Sequence, residues 1–139
     1  LFQNLLSNAL KYTRPGEAPK IKISAELLER DEAPDLPETD DTDCFCRISL
    51  QDDGIGFDEK YLDRIFKVFQ RLHGRKEYYG TGIGLAICRK IVERHGGLIT
   101  ARSNPNNGAT FIVTLPVRHQ LQDNSASDSV PKERLQNPA

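Results

Sequence analysis

Three groups of residues in this chain have types and spacing suited to chemistry. The first is Asn4-Leu5-Leu6-Ser7-Asn8-Ala9-Leu10-Lys11-Tyr12, in which Asn4, Asn8 and Lys11 recur at helical spacing. The second is Asp52-Asp53-Gly54-Ile55-Gly56, and the third is Gly80-Thr81-Gly82-Ile83-Gly84-Leu85. The Asn8 amide oxygen is a hard, neutral ligand of the kind that suits Mg²⁺ held chiefly by phosphates and water. Lys11, one turn on, can reach a phosphate oxygen. Glycines let the backbone approach a ligand closely. A helix opening at residue 82 would offer free N–H groups and a partial positive charge to a triphosphate. Together the groups read as a nucleotide site assembled from distant parts of one chain.

Asp52 is informative by position. Counting by two from Cys46 gives Ile48, Leu50 and Asp52, so its carboxylate continues the inward apolar face of a strand. A buried carboxylate needs a partner. An adenine amino group is one candidate, and the cap of the following turn is another. Gly54 and Gly56 would leave room for a flat ring against the backbone. The third group has the spacing G-x-G-x-G, which fails the dinucleotide fingerprint, and no G-x-x-x-x-G-K-[ST] occurs anywhere. A glycine hinge without ligand is its plain alternative.

These groups need elements to hold them. Phe2, Leu5, Leu6 and Ala9 mark a helix over residues 1–13, ended by Arg14-Pro15-Gly16. Lys20 to Leu28 alternates, with Ile21, Ile23, Ala25 and Leu27 on one side, as a half-buried strand does. Glu29 to Asp43 holds eight acids against Arg30 and has no apolar period, so it reads as a mobile acidic loop. Cys44 to Asp52 returns to strand character. A short helix follows Asp58, a suitable N-cap. Residues 70–81 are basic, aromatic and glycine-punctuated, the composition of a flexible lid. Ile83, Ile87 and Ile91 predict a helix over 82–95, closed by Gly96-Gly97. Leu98–Ser103 and Ala109–Val117 form a hairpin across Asn104–Gly108. Residues 118–139 are polar and are expected to be disordered. The sum is an α/β (α+β) two-layer sandwich: a mixed, mostly antiparallel sheet with three helices on one face.

Size and charge bound the possibilities. The 139 residues make one domain, and a net charge of -1 gives no field that draws the chain to nucleic acid or to a membrane surface. Three cysteines argue against a secreted disulfide framework, and Cys44 with Cys46 lacks a second pair for zinc. No apolar run nears the roughly 20 residues of a membrane span, and no signal peptide is visible, so a cytoplasmic location is expected. Leu1 opens inside an amphipathic pattern, so the polypeptide is expected to continue upstream.

With these motifs in order, residues 1–117 resemble the catalytic, ATP-binding domain of sensor histidine kinases, in the gyrase–chaperone–histidine kinase–mismatch-repair ATPase superfamily. Residues 1–13 resemble its N box, 52–56 its first glycine box, Ile65-Phe66-Lys67-Val68-Phe69 its F box, and 80–87 its second glycine box. The stretch from Phe69 to Gly80 is similar to phytochrome-like and PAS-linked kinases. The resemblance implies a Bergerat-type fold and Mg-ATP as the bound nucleotide. Asn8 would hold Mg²⁺, with Asn4 supporting the metal–phosphate region, Lys11 on phosphate and Tyr12 on the adenine side. Asp52 would bind the adenine amino group, with Gly54 and Gly56 behind the ring. Arg71, Arg75 and Lys76 would close over the phosphates, which Gly80, Thr81, Gly82, Ile83, Gly84 and Leu85 would wrap.

The implied reaction is transfer of the γ-phosphoryl group to a histidine on a helical dimerisation and phosphoacceptor domain, which would also make the homodimer. A response regulator would be the downstream partner. His73, His95 and His119 lack the acceptor context of an acid followed later by a proline, so the acceptor is expected outside this chain. The alternatives are an ATP-driven conformational switch and a nucleotide-binding regulatory module. Switch ATPases of the superfamily carry a glutamate where this chain has Asn4, which cannot serve as a general base.

Overall fold

The computed structural model describes residues 1–38, 42–69, 72 and 82–117. Its elements are helix α1 (Phe2–Lys11), strands β1 (Ile21–Glu29) and β2 (Cys44–Asp52), helices α2 (Leu62–Ile65) and α3 (Gly84–Arg94), then strands β3 (Leu98–Ser103) and β4 (Ala109–Pro116). Single 3₁₀ turns cover Arg30–Glu32 and Glu59–Tyr61. The sheet order is β1-β2-β4-β3, and every pairing among the described residues is antiparallel. This sharpens the expected mixed sheet to a purely antiparallel one.

Alternation along the strands decides which side chains meet the helices. Leu50, Phe111 and Ala101 lie opposite one another across β2, β4 and β3, with Val113 beside Ile99 in the next row. All five are buried, and Leu5, Ala9, Cys88 and Val92 of α1 and α3 close over them. Cys88 is fully covered, and burial pushes its thiol above the usual range. The helices begin and end where their caps dictate. Asp58 accepts from the Lys60 N–H at 3.0 Å, as its N-cap reading required. After α3, Gly96 takes φ +72° and the Gly97 N–H returns to the Val92 carbonyl at 2.9 Å. The helix itself starts at Gly84 with Ile83 as N-cap, two residues later than the periodicity placed it.

Two expectations are corrected. β1 is an edge strand whose apolar side lies beyond the reach of the helices, so Ile23 and Leu27 are 53% and 70% exposed. Alternation alone reports the pleat and cannot report whether a helix reaches it. Residues 30–36 of the acidic segment, expected as part of a mobile loop, fold onto the opposite face of the sheet. Ala33 and Leu36 join Leu28 and Phe45 in a second small core, all four buried. Glu29 and Glu32 form a reciprocal capping box around the 3₁₀ turn. Arg30 lies over the Phe45 ring at 5.3 Å and donates to the Leu36 and Pro37 carbonyls. Two apolar residues spaced among eight acids leave no period to read, yet they suffice to anchor the segment. Thr39 to Asp41, and residues 118–139, lie outside the described residues. No helix among the described residues is long and apolar enough to cross a membrane.

Candidate functional site

The C-terminal end of β2 opens into a pocket of about 610 Å³ lined by Asn8, Tyr12, Asp52, Gly56, Phe57, Ile65, Leu72, Leu85, Ala109 and Phe111. The wall is mostly apolar, with three polar side chains, and its residues come from distant places in the chain. Asn8 and Tyr12 come from the end of α1, Asp52 from the end of β2, and Leu85 from the first turn of α3.

Asp52 is 8% exposed and sits where the apolar row of β2 meets the pocket. Its Oδ1 accepts the Gly54 N–H at 2.9 Å and the Ala109 N–H at 3.3 Å. Both protein hydrogen bonds to the carboxylate among the described residues fall on that oxygen, which leaves Oδ2 for another donor. Burial raises the Asp52 pKa above its ordinary value; the two N–H groups oppose this, and the neighbouring Asp53 adds to it. The cap reading and the ligand reading of Asp52 are therefore compatible, because each uses a different oxygen.

The loop after Asp52 is fastened on all sides. Ile55 N–H donates to the Tyr12 carbonyl at 2.9 Å, and Asn106 N–H donates to the Ile55 carbonyl at 2.7 Å. Arg14 Nε donates to the Asp53 carbonyl at 2.9 Å. A Cβ on Gly54 would stand 2.3 Å from the Tyr12 carbonyl oxygen, and one on Gly56 would stand 2.2 Å from that of Asn104. Gly56 also has φ +61°. Backbone packing by itself requires these glycines, beside the room they were expected to leave for a ring. Of the two, Gly56 does line the pocket.

Asn4 reaches the glycine-rich start of α3. Its Nδ2 donates to the Gly84 carbonyl at 3.3 Å, tying α1 to the first turn of α3, and it is not among the pocket-lining residues. The Lys11 ammonium lies 5.0 Å from the centre of the Tyr12 ring. Gly82 has φ +72°, and its carbonyl accepts the Phe69 N–H at 2.9 Å. Ile83 and Gly84 follow, and no side chain caps α3, so its first N–H groups carry the helix's partial positive charge. Arg71, Arg75, Lys76, Gly80 and Thr81 lie outside the described residues, and of residues 70–81 the structure describes only Leu72, in the pocket wall.

Sequence reasoning missed Phe57, Ile65, Leu72, Ala109 and Phe111 as pocket residues, and Ser103 and Glu59 as their supports. Phe57 and Phe66 pack on Phe111 with centroids 6.5 and 6.4 Å away. Apolar residues read as core in a sequence, and only the fold shows which core residues border a cavity.

The family model for the histidine kinase-, DNA gyrase B- and HSP90-like ATPases matches residues 1–119. The chain belongs to this family. It is a histidine kinase-type ATPase domain. It is similar to cyanobacterial phytochrome A of Nostoc sp., 50% identical over 117 residues that make up 84% of this chain and 13% of that protein. It is also similar to the sensor histidine kinase WalK of Bacillus subtilis, at 33% over 125 residues, or 88% of this chain and 18% of the relative. The chain thus spans under a fifth of these relatives' lengths. Among solved structures, the catalytic domain of histidine kinase ThkA superposes with a TM-score of 0.56 at 34% identity, over 81% of this chain and 62% of that one. ShkA in complex with AMPPNP gives a TM-score of 0.61 at 26% identity, over 84% of this chain and 20% of that one.

Proposed function

We propose that this domain binds Mg-ATP and transfers the γ-phosphoryl group to a histidine on a helical dimerisation domain, within a two-component signalling protein that also meets a response regulator. The observation that carries the reading is that one pocket gathers Asn8, Tyr12, Asp52 and Leu85 from three separate motifs. Asp52 Oδ2 would accept from the adenine amino group while Phe57, Ile65 and Phe111 cover the ring. Lys11 and the uncapped first turn of α3 would take the phosphates. The donor set fits magnesium: Asn8 offers a neutral oxygen, and no cluster of three His, Cys, Asp or Glu side chains occurs among the described residues to hold the ion without phosphate. When bound, magnesium would neutralise charge on the phosphates; the chain's own part is to position the nucleotide and exclude water. Val68, Phe69 and Ile87, exposed beside the start of α3, give an acceptor helix an apolar surface to meet.

Mixed with a helical fragment bearing an acceptor histidine and with Mg-ATP, the domain should label the fragment. The product should be acid-labile and alkali-stable, as a phosphoramidate is. The domain alone should not label itself, and its rate on the fragment should rise with fragment concentration, because no linker holds the two together. Rapid ATP turnover by the domain alone, without phosphohistidine, would favour the switch-ATPase reading.

A further inference from the structure

Ser103 ends β3 on the face that carries Ile99 and Ala101, at a register position where an apolar side chain would be expected. It is 6% exposed. Its hydroxyl accepts the Phe57 N–H at 2.8 Å and donates to the Gly108 carbonyl at 2.6 Å. Its own N–H donates to Glu59 Oε1 at 3.0 Å. One residue therefore joins three segments: the loop that follows Asp52, the β3–β4 turn, and the 3₁₀ turn at Glu59. Two of these ties lead to the pocket. Phe57 is part of its wall, and Gly108 precedes Ala109, whose N–H holds Asp52 Oδ1. Gly108 has no slack, since a Cβ on it would stand 2.0 Å from the Asp52 carbonyl oxygen. A movement of the turn is thus a movement of the Asp52 carboxylate.

We propose that Ser103 is a positioning residue for base recognition: its hydroxyl locks the β3–β4 turn to the loop after Asp52 and so aims the free carboxylate oxygen at the base. The inference rests on the reading of this pocket as the adenine site. Its readout is the preference for ATP over ITP, which lacks the amino group that Oδ2 would accept. Ser103→Ala removes both hydroxyl bonds and should cut that preference about fivefold, the scale of a neutral hydrogen bond, at a temperature where circular dichroism shows the variant folded. Ser103→Thr keeps the hydroxyl and should restore it. In an Asp52→Asn background, Ser103→Ala should change the ratio no further, because the group it aims is gone.

Calorimetry decides between outcomes. A parent domain that binds ATP and ITP equally overturns the adenine reading itself. A parent that discriminates, with a folded Ser103→Ala that discriminates as well, overturns the positioning role and leaves the adenine reading standing. Should the alanine variant fail to fold, Ser103→Cys keeps the volume with weaker hydrogen bonds, and an undiminished ATP/ITP ratio in it counts equally against the proposal.

Discussion

A Cβ on Gly54 or Gly56 would press to 2.3 or 2.2 Å against a carbonyl oxygen of another segment, whereas a Cβ on Gly84 would find nothing among the described residues nearer than Asn4 Cγ at 3.9 Å. The loop at the end of β2 is thus glycine because the protein packs against itself there. The start of α3 carries a glycine for which the described residues show no steric need. The first region is built rigid before any ligand arrives, with Tyr12, Asn106 and Ser103 fastening it. At the second, no side chain among the described residues caps the helix end, so its N–H groups carry the partial positive charge. A selective base pocket benefits from preorganisation, while a phosphate site needs bare backbone. Under the proposed function, the same residue type at two places would answer these two demands.

The largest effect expected from this contrast is at Gly56. An alanine there meets both the Asn104 carbonyl and a left-handed backbone, and should cost roughly 3 kcal/mol or more from overpacking and strain together. Thermal unfolding should show a midpoint lowered by 10 °C or more on the order of several degrees per kcal/mol. A Gly56→Ala domain as stable as the parent would break the claim that this loop is fixed by packing.

Asp52→Asn comes next, and it separates binding from folding. Asn keeps an acceptor for Gly54 and Ala109 but loses the charge, so ATP should bind about 10- to 100-fold more weakly. Because burial raises the folded pKa of Asp52, its favourable contribution to stability is present below the ordinary value of 3.8 and is lost as pH rises through the folded value. At neutral pH the variant without ligand should therefore be at least as stable as the parent, with the difference shrinking as pH falls toward 3.8. Urea unfolding at both pH values tests this; a variant destabilised at pH 7 would show the carboxylate to be structural.

The smallest effect on stability belongs to Gly84. Alanine there fits the space and suits a helix, so the unfolding midpoint should hold or rise slightly, by less than about 1 kcal/mol. Triphosphate binding should weaken while adenosine binding does not. Equal losses for ATP and adenosine would place the effect at the base pocket and erase the distinction between the two glycine regions.

Much of this was legible in the chain. The inward register of Leu50 and Asp52 follows from counting by two, and the helix over α3 follows from Ile83, Ile87 and Ile91, since both patterns are local consequences of backbone geometry. The motif order pointed to the ATPase family for the same reason: residue type and spacing are sequence properties. Other features needed the fold. Whether β1's apolar side is covered depends on how far α1 and α3 extend, and Ala33 with Leu36 had no period to betray a second core. Asn4 turned out to join Gly84 because the two helices meet there, which spacing within one helix cannot tell. Most of all, the sequence by itself determined which residues could hold a nucleotide, but only tertiary structure decided what holds those residues. Ala109 and Tyr12 act on Asp52 and its loop through a backbone N–H and a backbone C=O, groups that nearly every residue carries and that therefore leave no mark in the amino-acid code.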